Sequence, residues 1–441
     1  GLMGKNKMTF DFPLGTIPKG FVYRDQSKRY PWWVKSVDKM TTEIDESIWE
    51  RKVTDQIQMG LFGDPEKAKE KANESVKKIV ARIEKEVPGN QLKDLALHYA
   101  STTFFAAGVP MFEGNFITHM FPIMEAVSKV IHPPEELGVP KWQGSPQEAS
   151  EMVEIAAMQL GAAQVGFTYL EPRFLEHNVD VDPTVEKIKT TPEGKVLIPE
   201  HLKYVIMVAG QAPLEAMKHA PSQIGDMADR SGYEDRQMVW FRMMNFIRGL
   251  GYQAKPIPAA MPPGIPFGLM AGLGEMGRMN RLISPYYGGA LRIEGILTDM
   301  PLALDKPIDF GLQEYCRHCQ KCARACPAKA ISSEKESTWE PQSNFSLKGR
   351  KLWYENPEIC WEWTGHNAHY CSACMFACTW TKDDQTFLHT LARISAAKLP
   401  FLGKPLAWLD DLFGYGPVAR KNMGDWWQKK RPTKGANSRR R

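Results

Sequence analysis

The stretch YCRHCQKCARACPAKAI, residues 315–331, places four cysteines in eleven positions, in a chain with none in its first 315 residues. Cys316, Cys319, Cys322 and Cys326, followed by Pro327, have the C-x2-C-x2-C-x3-C-P spacing that holds a [4Fe–4S] cluster. Disulfides would scatter cysteines through the fold, and a zinc site favours two separated pairs over a comb with a terminal Cys-Pro. Iron–sulfur ligation is the chemistry this spacing favours.

The other four cysteines lie just downstream as Cys360-x10-Cys371-x2-Cys374-x3-Cys378, with WEWTGHNAHY filling the long gap. Cys360 replaces the missing first ligand, and Thr379 stands where a proline usually follows the last one. In two-cluster proteins the fourth cysteine of each motif crosses to the other cluster. That rule assigns Cys316, Cys319, Cys322 and Cys378 to one cubane and Cys360, Cys371, Cys374 and Cys326 to the second. No thiol is left over, so the group that receives the electrons is not held by cysteine.

Upstream, the pattern is that of a layered α/β domain. EASEMVEIAAMQL reads as an amphipathic helix ending near Gly161, followed by the strand QVGFTYL. YVIMVAG and LRIEGILTDMPL are strand-like runs, and DRQMVWFRMMNFIRGL is a helix stopped by Gly249 and Gly251. Towards the N-terminus, DPEKAKEKANESVKKIVARIEKEV is a charged helix, and FPLGTIPKGFVYRDQSKRYPWWVK reads as an irregular segment wrapping the surface.

With 441 residues and 43% hydrophobic content the chain can bury large cores, enough for about two to four domains. Its longest apolar runs, such as FFAAGVPMF, fall far short of the roughly 20 residues a spanning helix needs. The net charge of +5 is owed to seven basic residues from Lys429 onward, with no acid among them, so the rest of the chain is slightly acidic. A solvated basic tail, with some attraction to anionic membranes, fits this balance better than nucleic-acid binding. The opening GLMGKNKMTFDFP has neither an apolar core nor paired arginines, and is expected to follow a removed leader.

Gly272, Gly274 and Gly277 spell G-x-G-x-x-G, but the preceding IPAAMPPGIPFGLM is too proline-rich for the central strand a dinucleotide fold requires. These glycines and the adjoining Arg278 are candidates for contact with another large cofactor.

The run AGLGEMGRMNRLISPYYGGALRIEGILTDMPLALDKPIDFGLQEYCRHCQKCARACPAKAI, the gap after Cys360 and a late LFGYG resemble the respiratory reductive dehalogenases. The likeness spans about residues 150–415. It implies a nitroreductase-like α/β corrinoid core at 148–310, wrapped by 1–147, then a ferredoxin-like two-cluster domain at 311–385 and an extension at 386–441. The implied cofactors are a cobalamin-type corrinoid, bound base-off without a protein ligand, and two [4Fe–4S] clusters. The sequence also lacks the D-x-H-x-x-G signature of histidine-ligated corrinoid proteins. The implied reaction is reductive removal of halide from an organohalide, fed by a respiratory electron donor. The resemblance further implies a peripheral position at the outer face of the cytoplasmic membrane, a removed twin-arginine leader and a small membrane-anchor protein as partner. It leaves room for a homodimer.

By position in the family motifs, Tyr233 is the implied proton donor and Arg292 its basic partner. Ser231 and Glu234 form a capping-box pattern, which would put Tyr233 in the first turn of a helix, where the dipole favours its anion. Near Ala259, some relatives carry an asparagine; its absence implies a more apolar substrate pocket. His366 and His369 read as packing or hydrogen-bonding groups, and Trp361, Trp363 and Trp380 as shielding for clusters or cofactor. An epoxyqueuosine-reductase-like enzyme would bring a DYH motif and a tRNA partner, and the motif is absent. A non-catalytic electron carrier would leave the long α/β region without a task.

Overall fold

The computed structural model describes residues 12–52, 65–100, 131–257, 264–367, 369–382, 386–415 and 426–428. Ser145 starts helix α1 (Pro146–Gln159) through a reciprocal capping box with Glu148. Beyond Gly161, whose φ of 107° turns the chain, lies strand β1 (Gln164–Tyr169). Strand β2 (Tyr204–Gln211) leads to the long helix α2 (Gln223–Gly249), the short strand β3 (Ala254–Pro256) and strand β4 (Leu291–Thr298). The sheet order is β1-β2-β4-β3, antiparallel at every pairing. Helices and strands alternate as the periodicity predicts, yet the sheet is antiparallel, so the α+β form of the expected class is the one observed.

Helix α2 lies across β2 and β4. Residues 205–210 of β2 are fully buried, which is why that strand reads as an unbroken apolar run. The helix begins nine residues earlier than the Ser231 pattern suggests: Ser222 is the N-cap, accepting from Gly225 N. Ser231 instead points its hydroxyl at Met227 Sδ within the helix. Tyr233 is therefore mid-helix, and the expected help from a helix N-terminus is withdrawn.

The N-terminal segment runs along this core. Arg24 and Arg29 both reach the buried carboxylate of Asp305, Lys35–Ser36 pairs with Ile308–Asp309, and Trp49 Nε1 donates to Arg173 O. No described helix is long and apolar enough to cross a membrane.

After Gly311 the chain changes to short helices: α3 (Leu312–Cys319), α4 (Lys321–Ala325), α5 (Pro357–Asn367), α6 (Ala373–Ala377), α7 (Phe387–Lys398) and α8 (Gly403–Leu412). Helices α4 and α6 pack together, bringing the two cysteine motifs face to face. Helix α8 can seat on the end of α3 because position 403 is glycine; a Cβ there would lie 2.8 Å from Cys319 N. Helices α7 and α8 are turned inside out. Their buried faces carry His389, Arg393 and Asp410 beside the small Ala396, Gly403 and Ala407, while the large apolar Phe387, Leu388, Trp408 and Leu412, and Phe413 just after α8, are each more than 60% exposed.

Candidate functional site

None of the eight cysteines forms a disulfide. Cys316, Cys319, Cys322 and Cys378 line one small cavity together with Lys321 and Trp380. Cys326 acts electrostatically on Cys360 and Cys371, and these two act on Cys374. The spatial grouping is thus the crossed one. Among the described residues no three His, Cys, Asp or Glu side chains converge tightly enough for a single ion. Thiols arranged around a space suit a cluster held at its corners, not zinc, whose sulfur ligands stand about 2.3 Å from one ion. Burial pushes the Cys371 thiol up to about 11 and the Cys378 thiol up to about 12, so these two ionise only against a strong local cation such as bound iron.

Tyr233 is half-buried on the face of α2 that also bears Asp229 and Arg236, at spacings of four and three residues. Opposite them, Arg292 and Glu294 share one face of β4. Arg292 pairs with Asp229, and Arg236 with Glu294 Oε2 at 3.0 Å. The guanidinium carbons of Arg292 and Arg236 lie 5.1 and 5.0 Å from the Tyr233 ring centroid. Two glycines make this approach possible. Gly210 is the cross-strand partner of Arg292, and a Cβ on it would lie 2.5 Å from Arg236 N; a Cβ on Gly232 would lie 3.1 Å from Arg292 Cγ. Burial pushes Arg292 down to about 10, still cationic at neutral pH.

The second cysteine group adjoins this site. Arg281, held above the usual arginine range chiefly by Glu355, also feels the thiols of Cys374 and Cys360 and the Tyr233 phenol. Arg292 feels Cys374 as well. Asp226, buried on α2, accepts from Arg230 Nε at 2.8 Å and from Tyr370 N at 3.0 Å, tying the helix to the residue before Cys371. Arg230 in turn stacks 4.5 Å from the Tyr370 ring centroid.

The remaining candidates lie elsewhere. A Cβ on Gly272 would meet Lys306 O at 2.5 Å, and one on Gly274 would meet Ile283 O at 2.2 Å. One on Gly277 would meet Ile283 Cγ1 at 2.6 Å, so close packing within the chain accounts for all three glycines. Arg278 is equally committed: its guanidinium donates to the carbonyls of Cys316, Ser332 and Glu334 and stacks on Trp353. It braces the first cysteine loop. His369 is buried, which lowers it to about 4, and packs edge-on to Trp363, while His366 is exposed near Glu362. Trp361 packs against Tyr370, and Trp380, fully buried, lines the first cysteine cavity. Ala259 lies outside the described residues.

Buried polar atoms without a hydrogen-bond partner gather around Tyr233: Arg292 Nε, Arg236 Nε, Glu294 Oε1 and both amide atoms of Gln237. Orphaned groups are costly in an interior. They suit a large polar cofactor bound against α2 and β4. The sequence reading missed Asp229, Arg236 and Arg281, and Glu294, which it offered as a partner for Arg292, pairs with Arg236 instead. The four-residue spacing of Asp229 to Tyr233 and the two-residue spacing of Arg292 to Glu294 were its available signals.

A family model described as the reductive dehalogenase subunit matches residues 28–191 and 171–302. The tetrachloroethene reductive dehalogenase of Sulfurospirillum multivorans is 30% identical over 312 residues, covering 66% of this chain and 62% of that protein. The tetrachloroethene reductive dehalogenase of Dehalobacter restrictus is 32% identical over 306 residues, 62% of this chain and 55% of that one. The chain therefore aligns with only about 60% of the length of these curated relatives. Among solved structures, the catabolic reductive dehalogenase NpRdhA superposes with a TM-score of 0.61 at 24% identity, over 90% of this chain and 51% of that one, a likeness of fold.

Proposed function

The chain belongs to the reductive dehalogenase family, and from that membership we propose that it replaces the halogen of an organohalide by hydrogen, consuming two electrons and one proton and releasing halide. The observation that carries this reading is the position of Tyr233, between two guanidiniums and beside the second cysteine group. A base-off corrinoid, when bound, supplies the low-potential metal centre at which the carbon–halogen bond is cleaved.

The chain's own residues supply the rest. The first cysteine group would hold one iron–sulfur cluster and the second another, the second lying towards the face of α2 and β4, and the pair would supply one-electron transfer to that face. The Tyr233 hydroxyl donates the proton, and Arg292 and Arg236 stabilise the phenolate left behind. Asp229 and Glu294 hold those guanidiniums in place, and the half-buried setting limits water. Two ferredoxin-like clusters and a nitroreductase-like core are part of the proposal.

The same reading seats the chain peripherally on a membrane, where the electron donor and a small anchor protein would meet it. The exposed apolar faces of α7 and α8 support this, since they adjoin the first cysteine group through α3.

The test is halide release by anaerobically reconstituted protein with a reduced viologen donor, across chlorinated alkenes, alkanes and phenols. About eight irons and one cobalt per chain, with halide release from at least one class, are expected. Fully loaded protein that releases no halide from any class overturns the reading.

A further inference from the structure

The charges around the first cysteine group do not cancel. Lys321, between Cys319 and Cys322, lines the cavity with the thiols and is 2% exposed. Its Nζ donates to Asp410 Oδ2 at 3.2 Å and to Tyr415 O at 3.1 Å. Lys382, four residues beyond Cys378, is 4% exposed; its Nζ donates to the other Asp410 oxygen at 2.7 Å and stands 3.9 Å from the Tyr415 ring centroid. Arg278, braced on the Cys316 carbonyl, adds a third cation. Against these stand Asp410, which is buried, Asp411, 46% exposed at its side chain and shared with Arg324, and Glu334, exposed near Arg278, the last two screened by water. Around the second group each cation has its own carboxylate: Arg281 with Glu355, Arg292 with Asp229, Arg230 with Asp226.

Two buried ammoniums sharing one carboxylate are costly unless a further negative charge lies close by. The thiol side of Lys321 is where that charge would sit. A cluster ligated by four thiolates is anionic and gains another negative charge on reduction, and its potential follows the net charge around it. The inside-out packing of α7 and α8 has a role in this setting. Helix α8 inserts Asp410 between the lysines, and Arg393 of α7 donates to the Lys382 carbonyl at 2.6 Å.

We propose that Lys321 and Lys382, bridged by Asp410, form a cationic clamp that stabilises the reduced first cluster and sets its potential above that of the second. The clamp makes the first cluster the holding point for an electron taken from a low-potential one-electron carrier; no proton moves in this step. The inference rests on the two-cluster part of the proposed function and not on the corrinoid.

EPR-monitored redox titration of the reconstituted holoenzyme tests it. Lys321→Gln and Lys382→Gln are each expected to lower one midpoint by about tenfold in the reduction equilibrium, which is about 59 mV for one electron, leaving the other in place. Lys382→Arg should keep the native value. Asp410→Asn, which removes a negative charge, should raise the same midpoint. Lysine variants with unmoved midpoints, or Asp410→Asn moving in their direction, would overturn the clamp. Should the lysine variants fail to hold iron, the Asp410→Asn midpoint decides alone, an upward move supporting the clamp and any other overturning it. Wild-type protein that binds no iron would instead refute the cluster reading beneath it.

Discussion

Arg292 of β4 and Asp229 of α2 form an ion pair with side chains only 7% and 10% exposed, and it fixes where the helix crosses the sheet. Tyr233 sits one turn further along the helix, so the pair also sets the distance between the phenol and the guanidinium. Breaking a buried pair from one side strands the other charge, at a cost of about 3–5 kcal/mol. The geometry is therefore sensitive at either end.

Tyr233→Phe should leave cobalt and iron contents unchanged while lowering the halide-release kcat by about 10²–10⁴-fold, the usual weight of a positioned acid. Arg292→Lys keeps the charge but not the planar fork, and should fall between wild type and Arg292→Met. Single-turnover halide release checks both. A Tyr233→Phe enzyme with full kcat would remove the phenol from the reaction.

Gly210→Ala tests the close approach of helix and sheet. The added methyl would press on backbone atoms of α2, at 2.5 Å from Arg236 N and 2.7 Å from Gly232 O, which cannot rotate away. A loss of about 1–3 kcal/mol is expected, read as a lower thermal midpoint together with reduced activity. Unchanged values for both would show that the helix can move aside at no cost.

Much of this was legible in the sequence, and unevenly so. Cysteine spacing constrains which thiols can reach one small object, and the cysteines do gather in two sets, Cys378 beside the first motif and Cys326 beside the second. The apolar runs of β2 and β4 marked buried strands, but periodicity carries no information on strand direction. The Ser231 pattern misled because a capping box is a local signal, and Ser222 offers a cap at a place where tertiary packing allows the helix to start. The glycines at 272, 274 and 277 serve contacts with Lys306 and Ile283, partners no local motif can name. Asp229 and Arg236 escaped notice because charged residues are common on helices, and only the sheet beneath makes these two buried.

The crossed grouping makes an asymmetric prediction. Cys326 lies in the first motif, yet Cys326→Ser should impair the second cluster, and Cys378→Ser, in the second motif, should impair the first. EPR of each variant would show which signal is lost or altered, with iron falling from about eight towards about four. Loss of the first cluster in Cys326→Ser would require uncrossed ligation.

Glu275 supplies a pH dependence outside the active site. Its carboxylate is 1% exposed and accepts from Phe310 N at 2.7 Å, and burial raises it to about 7 from an ordinary value of 4.5. A carboxyl raised on folding holds its proton more tightly in the folded chain. Its contribution is full below the unfolded value and is lost as pH rises through about 7. Thermal midpoints should therefore fall between about pH 5 and about pH 8, with a contribution of about 3 kcal/mol at most. Glu275→Gln, which can still accept the Phe310 N–H, should flatten that slope. An identical slope in the variant would assign it to other groups.

The faces of α7 and α8 give the last prediction. Helices that bury histidine, arginine and aspartate while exposing Phe387, Leu388 and Trp408 contradict the usual amphipathic sense, and the apolar side needs a non-aqueous partner. The seven basic residues from Lys429 onward favour an anionic lipid surface. The full-length holoenzyme should co-sediment with phosphatidylglycerol vesicles more than with phosphatidylcholine ones, and less so as salt screens the charge. Each large apolar side chain that inserts contributes about 1.5–3 kcal/mol. A Phe387→Ser, Leu388→Gln, Trp408→Ser triple variant should therefore partition at least about 10²-fold more weakly with activity on soluble donors retained. Equal binding by the triple variant would sink the idea, as would a wild-type dimer that dissociates in that variant, because a second copy of the chain would then be what covers this face.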